Sequence, residues 1–297
     1  MECQIKDLSV HYEVYGDGRP IVVLNGGGPD HRCMTGCLEP TFRERGGWKR
    51  LYLDLPGTGK TPGREWISSS DQMLDVVLDF IAAVIPGQRL VLAGSSYGAY
   101  LARGVIYRQP AQVSGLLMIC PVVTTSLAER AVPPHVTLVR DAPFVDSLEP
   151  AQRELFGSFA VVQTQRTWER TRDEVIAGLE RADRGFLSRL QSHGYAFSFD
   201  VDGPSVRFEK PTLILLGRQD AMVGYRDAWT ILESYPRATF AVLDRAGHNL
   251  PIEQQRLFAA LVEEWLDRVE EAGSLPECSV PEQVQATNVQ GRFAKSS

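Results

Sequence analysis

A chain of 297 residues that is 43% hydrophobic and 23% charged can bury a full core, as one large domain or as a domain carrying an insertion. Its formal net charge of −6, with arginines and glutamates interspersed and no basic block, argues against nucleic acid or an anionic membrane as partner. No apolar run is long enough to span a bilayer, and the opening MECQIKDLSV holds no apolar signal core, so a cytoplasmic location is expected.

In chain order, residues 4–14 alternate polar and apolar and suggest an antiparallel edge pair. The short aliphatic run 21–24 (IVVL) has the character of a buried strand and ends in the glycine loop Asn25-Gly26-Gly27-Gly28-Pro29. A second run at 51–53 leads into Asp54-Leu55-Pro56-Gly57-Thr58-Gly59-Lys60-Thr61. GTGKT is the tail of a phosphate-binding P-loop, but that pattern needs a glycine at the position of Asp54, where the loop begins its turn. Pro62 and Gly63 then stand where the phosphate-holding helix would start, so no nucleotide site is expected.

Helical periodicity covers 72–84 and 97–109, and strand-like runs cover 90–93 (LVLA) and 113–119. The alternation then stops between residues 122 and 209. There Trp168, Val175, Ile176 and Leu179 share one helical face, as do parts of 152–159 and 186–190, which suggests a helical insertion. Strand-like runs return at 212–216 (TLILL) and 239–243, with helical patterns at 225–233 and 253–269. From residue 272 onward the chain is polar and aperiodic, and a loose tail is expected. Strands that alternate with helices predict a mostly parallel sheet wound on both faces, the α/β class.

Between the strand-like run 90–93 and its helix lies Gly94-Ser95-Ser96-Tyr97-Gly98, a GxSxG pentapeptide. In a nucleophile elbow the serine occupies a strained turn, and glycines on either side let strand and helix pass closely. A serine hydroxyl needs a base oriented by a third group. His248 lies just past the last strand-like run, and Asp220 just past the one before it, in the chain order Ser, Asp, His. Asp244, four residues before His248, is the rival acid.

These motifs together resemble the α/β-hydrolase superfamily, in its capped branch of proline iminopeptidase-like and small-ester hydrolases, over about residues 21–266. Asn25-Gly26-Gly27-Gly28-Pro29 matches the family's HGGPG-like loop, with Asn25 in place of the usual histidine. Asp54 to Thr61 resembles its DxPGxGxS-like segment, in which Asp54 braces backbone. The resemblance implies an α/β-hydrolase fold with a helical cap inserted after the sixth strand. Core would then occupy residues 1–121 and 210–271, cap 122–209 and tail 272–297. It also implies a serine hydrolase that cleaves a small ester or amide through an acyl-enzyme. Ser96, Asp220 and His248 would be the triad, and the Gly27 and Tyr97 N–H groups the oxyanion hole. No metal or organic cofactor is implied.

A serine nucleophile speaks against the dehalogenases and epoxide hydrolases of this fold, which use aspartate. The substrate would be a small molecule or short peptide beneath a cap contributing Trp168, Phe156 and Phe159. The alternatives are an iminopeptidase-like aminopeptidase, a non-catalytic ligand-binding member of the fold, and the same site used for lyase or carbon–carbon bond chemistry. An aminoacyl substrate would need a carboxylate for its ammonium, but Glu169, Asp173, Glu174, Glu180 and Asp183 first suggest a solvated helix face. His11, His31, His135 and His193 suggest surface or packing residues, with a pocket position as the alternative for His31.

Five cysteines, Cys3, Cys33, Cys37, Cys120 and Cys278, lack CxxC spacing, so neither a disulfide framework nor a zinc site is suggested. Free thiols are expected, with a Cys33–Cys37 redox pair as the alternative. No motif sets an oligomeric state.

Overall fold

The computed structural model describes residues 1–203 and 206–274. The first stretch of core comprises β1 (Glu2–Ile5), β2 (Leu8–Tyr15), β3 (Arg19–Leu24), α1 (Arg32–Phe42), β4 (Trp48–Leu53), α2 (Ser70–Val84), β5 (Leu90–Ser95), α3 (Tyr97–Arg108) and β6 (Val113–Ile119). The insertion follows with β7 (Val139–Arg140), α4 (Ala142–Ser147), α5 (Pro150–Phe159), β8 (Val162–Gln163), α6 (Gln165–Thr171), a π-helical turn (Arg172–Ile176), α7 (Ala177–Leu179) and α8 (Arg184–His193). The chain returns as β9 (Thr212–Gly217), a 3-10 helix (Asp227–Ser234), β10 (Ala238–Leu243), α9 (Leu250–Glu253) and α10 (Gln255–Ser274).

Eight strands form one sheet in the order β1-β2-β4-β3-β5-β6-β9-β10. β2 runs antiparallel to β1 and β4, and every other pair is parallel. Helices cover both faces of such a sheet, so β3, β5, β6 and β9 carry near-continuous aliphatic sequence, and Ile21 to Leu24 and Leu213 to Leu216 are fully buried. The chain moves from β3 to β4 on one side, then crosses back to β5 on the other. That reversal opens a crevice at the carboxyl ends of β3 and β5, the place where open α/β sheets bind ligands. The register sets Leu24 against Gly94, so the glycine loop and the GxSxG turn emerge side by side.

α2 begins two residues earlier than periodicity suggests. Ser69 accepts from the Gln72 N–H and the Gln72 side chain answers to the Ser69 backbone, a capping box that starts the helix at Ser70. The pattern at 225–233 is realised as the tighter 3-10 coil, closed by the Tyr235 N–H to Leu232 O. The final helical pattern is split, with the single residue Gln254 between α9 and α10.

The insertion has a small core of its own, Val145, Phe156, Ala160 and Trp168, against which Phe144, Phe159 and Ile176 pack. It also contains the parallel pair β7 and β8, Val139 against Val162 and Arg140 against Gln163. Two residues are too short to show a strand period, which is why the sequence does not announce them. α8 belongs to the main core instead through Phe186 and Leu190. The Phe186 ring lies against Gly57 and Gly63, where a Cβ would come within 2.4 and 2.6 Å of it. Residues 272–274, where the sequence suggests that a loose tail begins, instead complete α10, and the rest of that expected tail, 275–297 with Cys278, lies outside the described residues. No described helix is long and apolar enough to cross a membrane.

Candidate active site

Ser96 sits between β5 and α3 at φ 53°, ψ −115°, a backbone state that costs a non-glycine residue about 1–3 kcal/mol. Three bonds impose it: the Ser96 N–H to Ile119 O at 2.8 Å, and the Ser96 carbonyl accepting from Val122 at 3.2 Å and Tyr100 at 3.3 Å. The flanking glycines allow the close passage. A Cβ on Gly98 would lie 2.4 Å from the Leu24 and Asn25 carbonyl oxygens, and one on Gly94 would lie 2.6 Å from the Ala99 nitrogen.

Asp220 follows β9 and is fully buried. Its Oδ1 accepts the Met222 and Val223 N–H groups at 2.8 and 3.0 Å, and its Oδ2 stands 2.8 Å from His248 Nδ1. With Nδ1–H donating to that carboxylate, His248 Nε2 is left as a lone-pair acceptor. Burial works against the charge on His248, but the Asp220 carboxylate and its hydrogen bond outweigh it and hold the imidazole pKa above the ordinary value. Burial likewise opposes ionisation of Asp220, yet His248 and the two N–H donors hold that carboxyl below its ordinary range. Asp244 is exposed and meets Gln219 Nε2 at 3.4 Å, so Asp220 is the acid that the structure brings to the imidazole.

A residue without a sequence signal holds the histidine loop in place. Glu253 accepts the Gly247 N–H on Oε2 at 2.6 Å, and the Val161 and Val162 N–H groups on Oε1 at 2.7 and 3.2 Å. It therefore ties the residue before His248 to the start of β8. In sequence it reads as an ordinary helix-surface glutamate, and only the fold brings three stray backbone donors to it.

The glycine loop is fastened by Asn25, which is fully buried. Its Oδ1 accepts the Leu55 N–H at 3.1 Å, while its Nδ2 donates to Pro29 O at 2.5 Å, Gly26 O at 3.0 Å and Thr58 Oγ1 at 3.2 Å. The asparagine thus clamps the loop to residues 55–58 in the place where the resembling family has histidine. Asp54, also fully buried, accepts the His31 N–H at 2.9 Å and His31 Nδ1–H at 2.8 Å on Oδ1, and the Lys60 N–H at 2.9 Å on Oδ2. A Cβ at Gly59 would lie 2.2 Å from Asp54 Oδ2, so the loop closes around the carboxylate rather than around a phosphate. Gly27 stands beside the elbow, its Cβ position 3.6 Å from Tyr97 Cβ. Tyr97 opens α3, so its N–H has no intrahelical acceptor.

Ser96 and His248 line one cavity of about 440 Å³, walled mainly by apolar groups that include Met34, Phe159, Val175, Ile176, Leu179 and Ile252. A second arm of about 330 Å³ shares Gly27, Ser96, Met222 and His248 and adds Tyr97, Arg130, Gln191 and Tyr195. Arg130 donates to Thr124 O and Met222 O, and its buried Nη2 lacks a hydrogen bond of good geometry among the described residues. Of the aromatic residues expected at the pocket, Phe159 lines the cavity. Phe156 and Trp168 do not, because they pack edge to face at 5.2 Å as the interior of the insertion. Cys33 and Cys37 are free: burial pushes the Cys33 thiol up to about 12 and Cys37 well above its ordinary value, Cys37 is buried, and Cys33 is partly exposed where it lines the cavity.

A family model described as the alpha/beta hydrolase family matches residues 21–261. The chain is 23% identical over 261 residues to a pimeloyl-[acyl-carrier protein] methyl ester esterase of Legionella pneumophila, covering 87% of this chain and all of that one. It is 24% identical to a 2-hydroxy-6-oxononadienedioate/2-hydroxy-6-oxononatrienedioate hydrolase of Pseudomonas putida, over 88% of this chain and 92% of the relative. Among solved structures, an alpha/beta superfamily hydrolase from Oenococcus oeni superposes with a TM-score of 0.82 at 28% identity, covering 91% of this chain and 99% of that one. With the parallel sheet, the strained serine turn and the match over most of its length, the chain belongs to the α/β-hydrolase family and is a hydrolase of that type.

Proposed function

We propose that the chain is a serine esterase that cleaves small carboxylic esters through an acyl-enzyme. The observation that carries this reading is the buried Asp220–His248 bond of 2.8 Å, with His248 lining the same cavity as Ser96. Ser96 Oγ attacks the ester carbonyl carbon as His248 Nε2 takes its proton. The carbonyl oxygen becomes an oxyanion held by the Gly27 and Tyr97 N–H groups, each worth about 3 kcal/mol of transition-state stabilisation. Collapse breaks the bond to the alkoxy oxygen, which leaves as alcohol with the proton from His248. Water then attacks the acyl-enzyme with the same base, and the acid departs with Ser96 restored.

An ester rather than an aminoacyl amide is favoured by the walls of the chamber. An N-terminal ammonium would need a buried counter-charge, and none of Glu169, Asp173, Glu174, Glu180 and Asp183 lines either arm. Glu174 pairs with Arg170, Asp173 with Arg172, Glu169 accepts from Gln165, and Asp183 caps α8. The apolar arm suits the acyl chain. The arm with Arg130, Gln191 and Tyr195 suits a polar or anionic substituent. Residues 122–209 act as the cap over both. The names of the relatives, a methyl ester esterase and a dienedioate hydrolase, agree with a hydrolase of small acyl compounds. Free Cys3, Cys33, Cys37 and Cys120 suit a reducing cytoplasm.

A fluorophosphonate probe followed by peptide mass spectrometry tests the assignment. The adduct is expected on Ser96, with short-chain p-nitrophenyl esters turned over faster than prolyl β-naphthylamide. An adduct on Ser95, or no adduct at all, would overturn the nucleophile. A preference for the prolyl amide would overturn the ester reading.

A further inference from the structure

Beside Asp54, three side chains converge that the proposed reaction does not use. His11 and Glu13 are two apart on β2 and therefore point from one face of the strand, and His31 precedes α1. One ligand atom from each of the three lies within 4.8 Å of the others. His31 Nε2 is 3.2 Å from Glu13 Oε1, and the rings of His11 and His31 are 5.6 Å apart between centroids.

We propose that His11, Glu13 and His31 form a binding site for a late first-row divalent cation, zinc(II) being the best match. Two imidazoles and one carboxylate make a donor set suited to such ions, with a fourth position left for water. Spacing supports the choice: two ligands at about 2.0–2.1 Å from a tetrahedral zinc stand about 3.3 Å apart. The His31–Glu13 separation of 3.2 Å is already close to that value.

An independent observation marks His11. Its side chain is only 8% exposed, and its Nε2 is buried with no hydrogen-bond partner, a state that costs free energy unless a ligand completes it. The other two ligands are oriented from behind, as in most metal sites. His31 gives Nδ1–H to Asp54 at 2.8 Å, so Nε2, which pairs with Glu13 Oε1 in the metal-free chain, is the nitrogen that releases its proton when an ion binds, and Tyr15 Oη donates to Glu13 Oε2 at 2.7 Å. The Glu13 side chain is 33% exposed, so an ion can reach the site from solvent. The charges facing His11 are Asp54 on one side and Lys60, the chain N-terminus and His31 on the other, and those facing His31 are Asp54, Glu13 and Asp30.

Other candidate clusters are already occupied. Asp30 is engaged by Arg32 through both oxygens, and Asp220 with His248 belongs to the reaction site. A bound ion would tie β2, which lies between β1 and β4, to the residue that leads from the glycine loop into α1.

The test uses the tag-free full chain stripped with a chelator. Equilibrium dialysis is expected to find one zinc(II) per chain, and melting to rise by roughly 5 °C at a hundredfold excess over Kd. Cobalt(II) should give the visible absorption of a low-coordinate site without a thiolate charge-transfer band. His11→Ala removes an unbonded nitrogen together with a buried ring, so its own metal-free melting temperature serves as the baseline, against which the zinc-induced rise should vanish and zinc binding weaken at least tenfold. Glu13→Gln serves as the second variant and should weaken binding as much. No bound zinc, or binding undiminished in both variants, would overturn the proposal. So would zinc binding that His248→Ala abolishes and His11→Ala leaves intact.

Discussion

Asn25→Ala tests how the glycine loop is held. The substitution removes the acceptor of the buried Leu55 N–H and the donor to Pro29 O and Gly26 O. A buried backbone group left unpaired costs about 1–3 kcal/mol, and water entering the space recovers part of it, so about 3 kcal/mol of unfolding free energy should be lost. Gly27 lies two residues on, and its N–H is the proposed oxyanion donor. Loosening it should forfeit part of the roughly 3 kcal/mol such a donor supplies, a fall of about 10–100-fold in kcat with KM little changed. Urea unfolding by linear extrapolation reads the first quantity, and p-nitrophenyl acetate turnover the second. Asn25→Asp should cost at least as much, because it points a buried carboxylate at the two carbonyls that Asn25 Nδ2 now satisfies. Stability within about 0.5 kcal/mol of wild type together with unchanged kcat would refute the clamp.

The rate should rise through one ionisation above the ordinary histidine value of 6.5, because Asp220 raises the His248 pKa and the base must be neutral; a flat pH–rate profile would remove histidine from the mechanism. In stability, the raised His248 contributes fully below its unfolded pKa and loses that contribution as pH climbs through the folded one. The lowered Asp220 contributes above its unfolded value of 3.8 and loses its part as pH falls through the folded pKa, so Asp220→Asn should flatten the acid limb of a Tm–pH scan. Ser96→Gly and Ser96→Ala should both abolish turnover, but the glycine variant should be more stable by about 1 kcal/mol because it accepts φ 53° without strain; equal unfolding curves would deny that strain. Gly98→Ala drives a Cβ into two backbone carbonyls and should cost about 3 kcal/mol or prevent folding, as circular dichroism and urea titration would show. Glu253→Ala strands three backbone N–H groups and should lower kcat by displacing His248 while Ser96 still reacts with a small phosphonate; an unaltered kcat would leave Glu253 without a role in placing the histidine.

The α/β class was legible in the chain because each buried strand is a short aliphatic run and each helix an apolar stripe, patterns set by neighbours a few residues apart. Glycines at 94 and 98, the serine between them, and Asp220 and His248 past two strands could be read for the same reason, since each stands in a local strand-end context. So could the failure of GTGKT as a phosphate loop, because Asp54 is visible where a glycine is needed.

What only the tertiary structure decided depends on groups far apart in the chain. The β3–β5 register, 70 residues apart, sets the glycine loop beside the serine turn. Asn25 reaches across 30 residues to the Leu55 N–H, and Glu253 across 92 to the Val161 N–H. Phe156 and Trp168 face inward in the insertion while Phe159, on the same helix as Phe156, reaches the cavity. His11 and His31 meet only because β2 pairs with β4 next to Asp54. A side chain's residue type states which bonds it can make, but a buried donor or acceptor takes whichever partner the fold brings within 3 Å, and sequence periodicity carries no record of that distance.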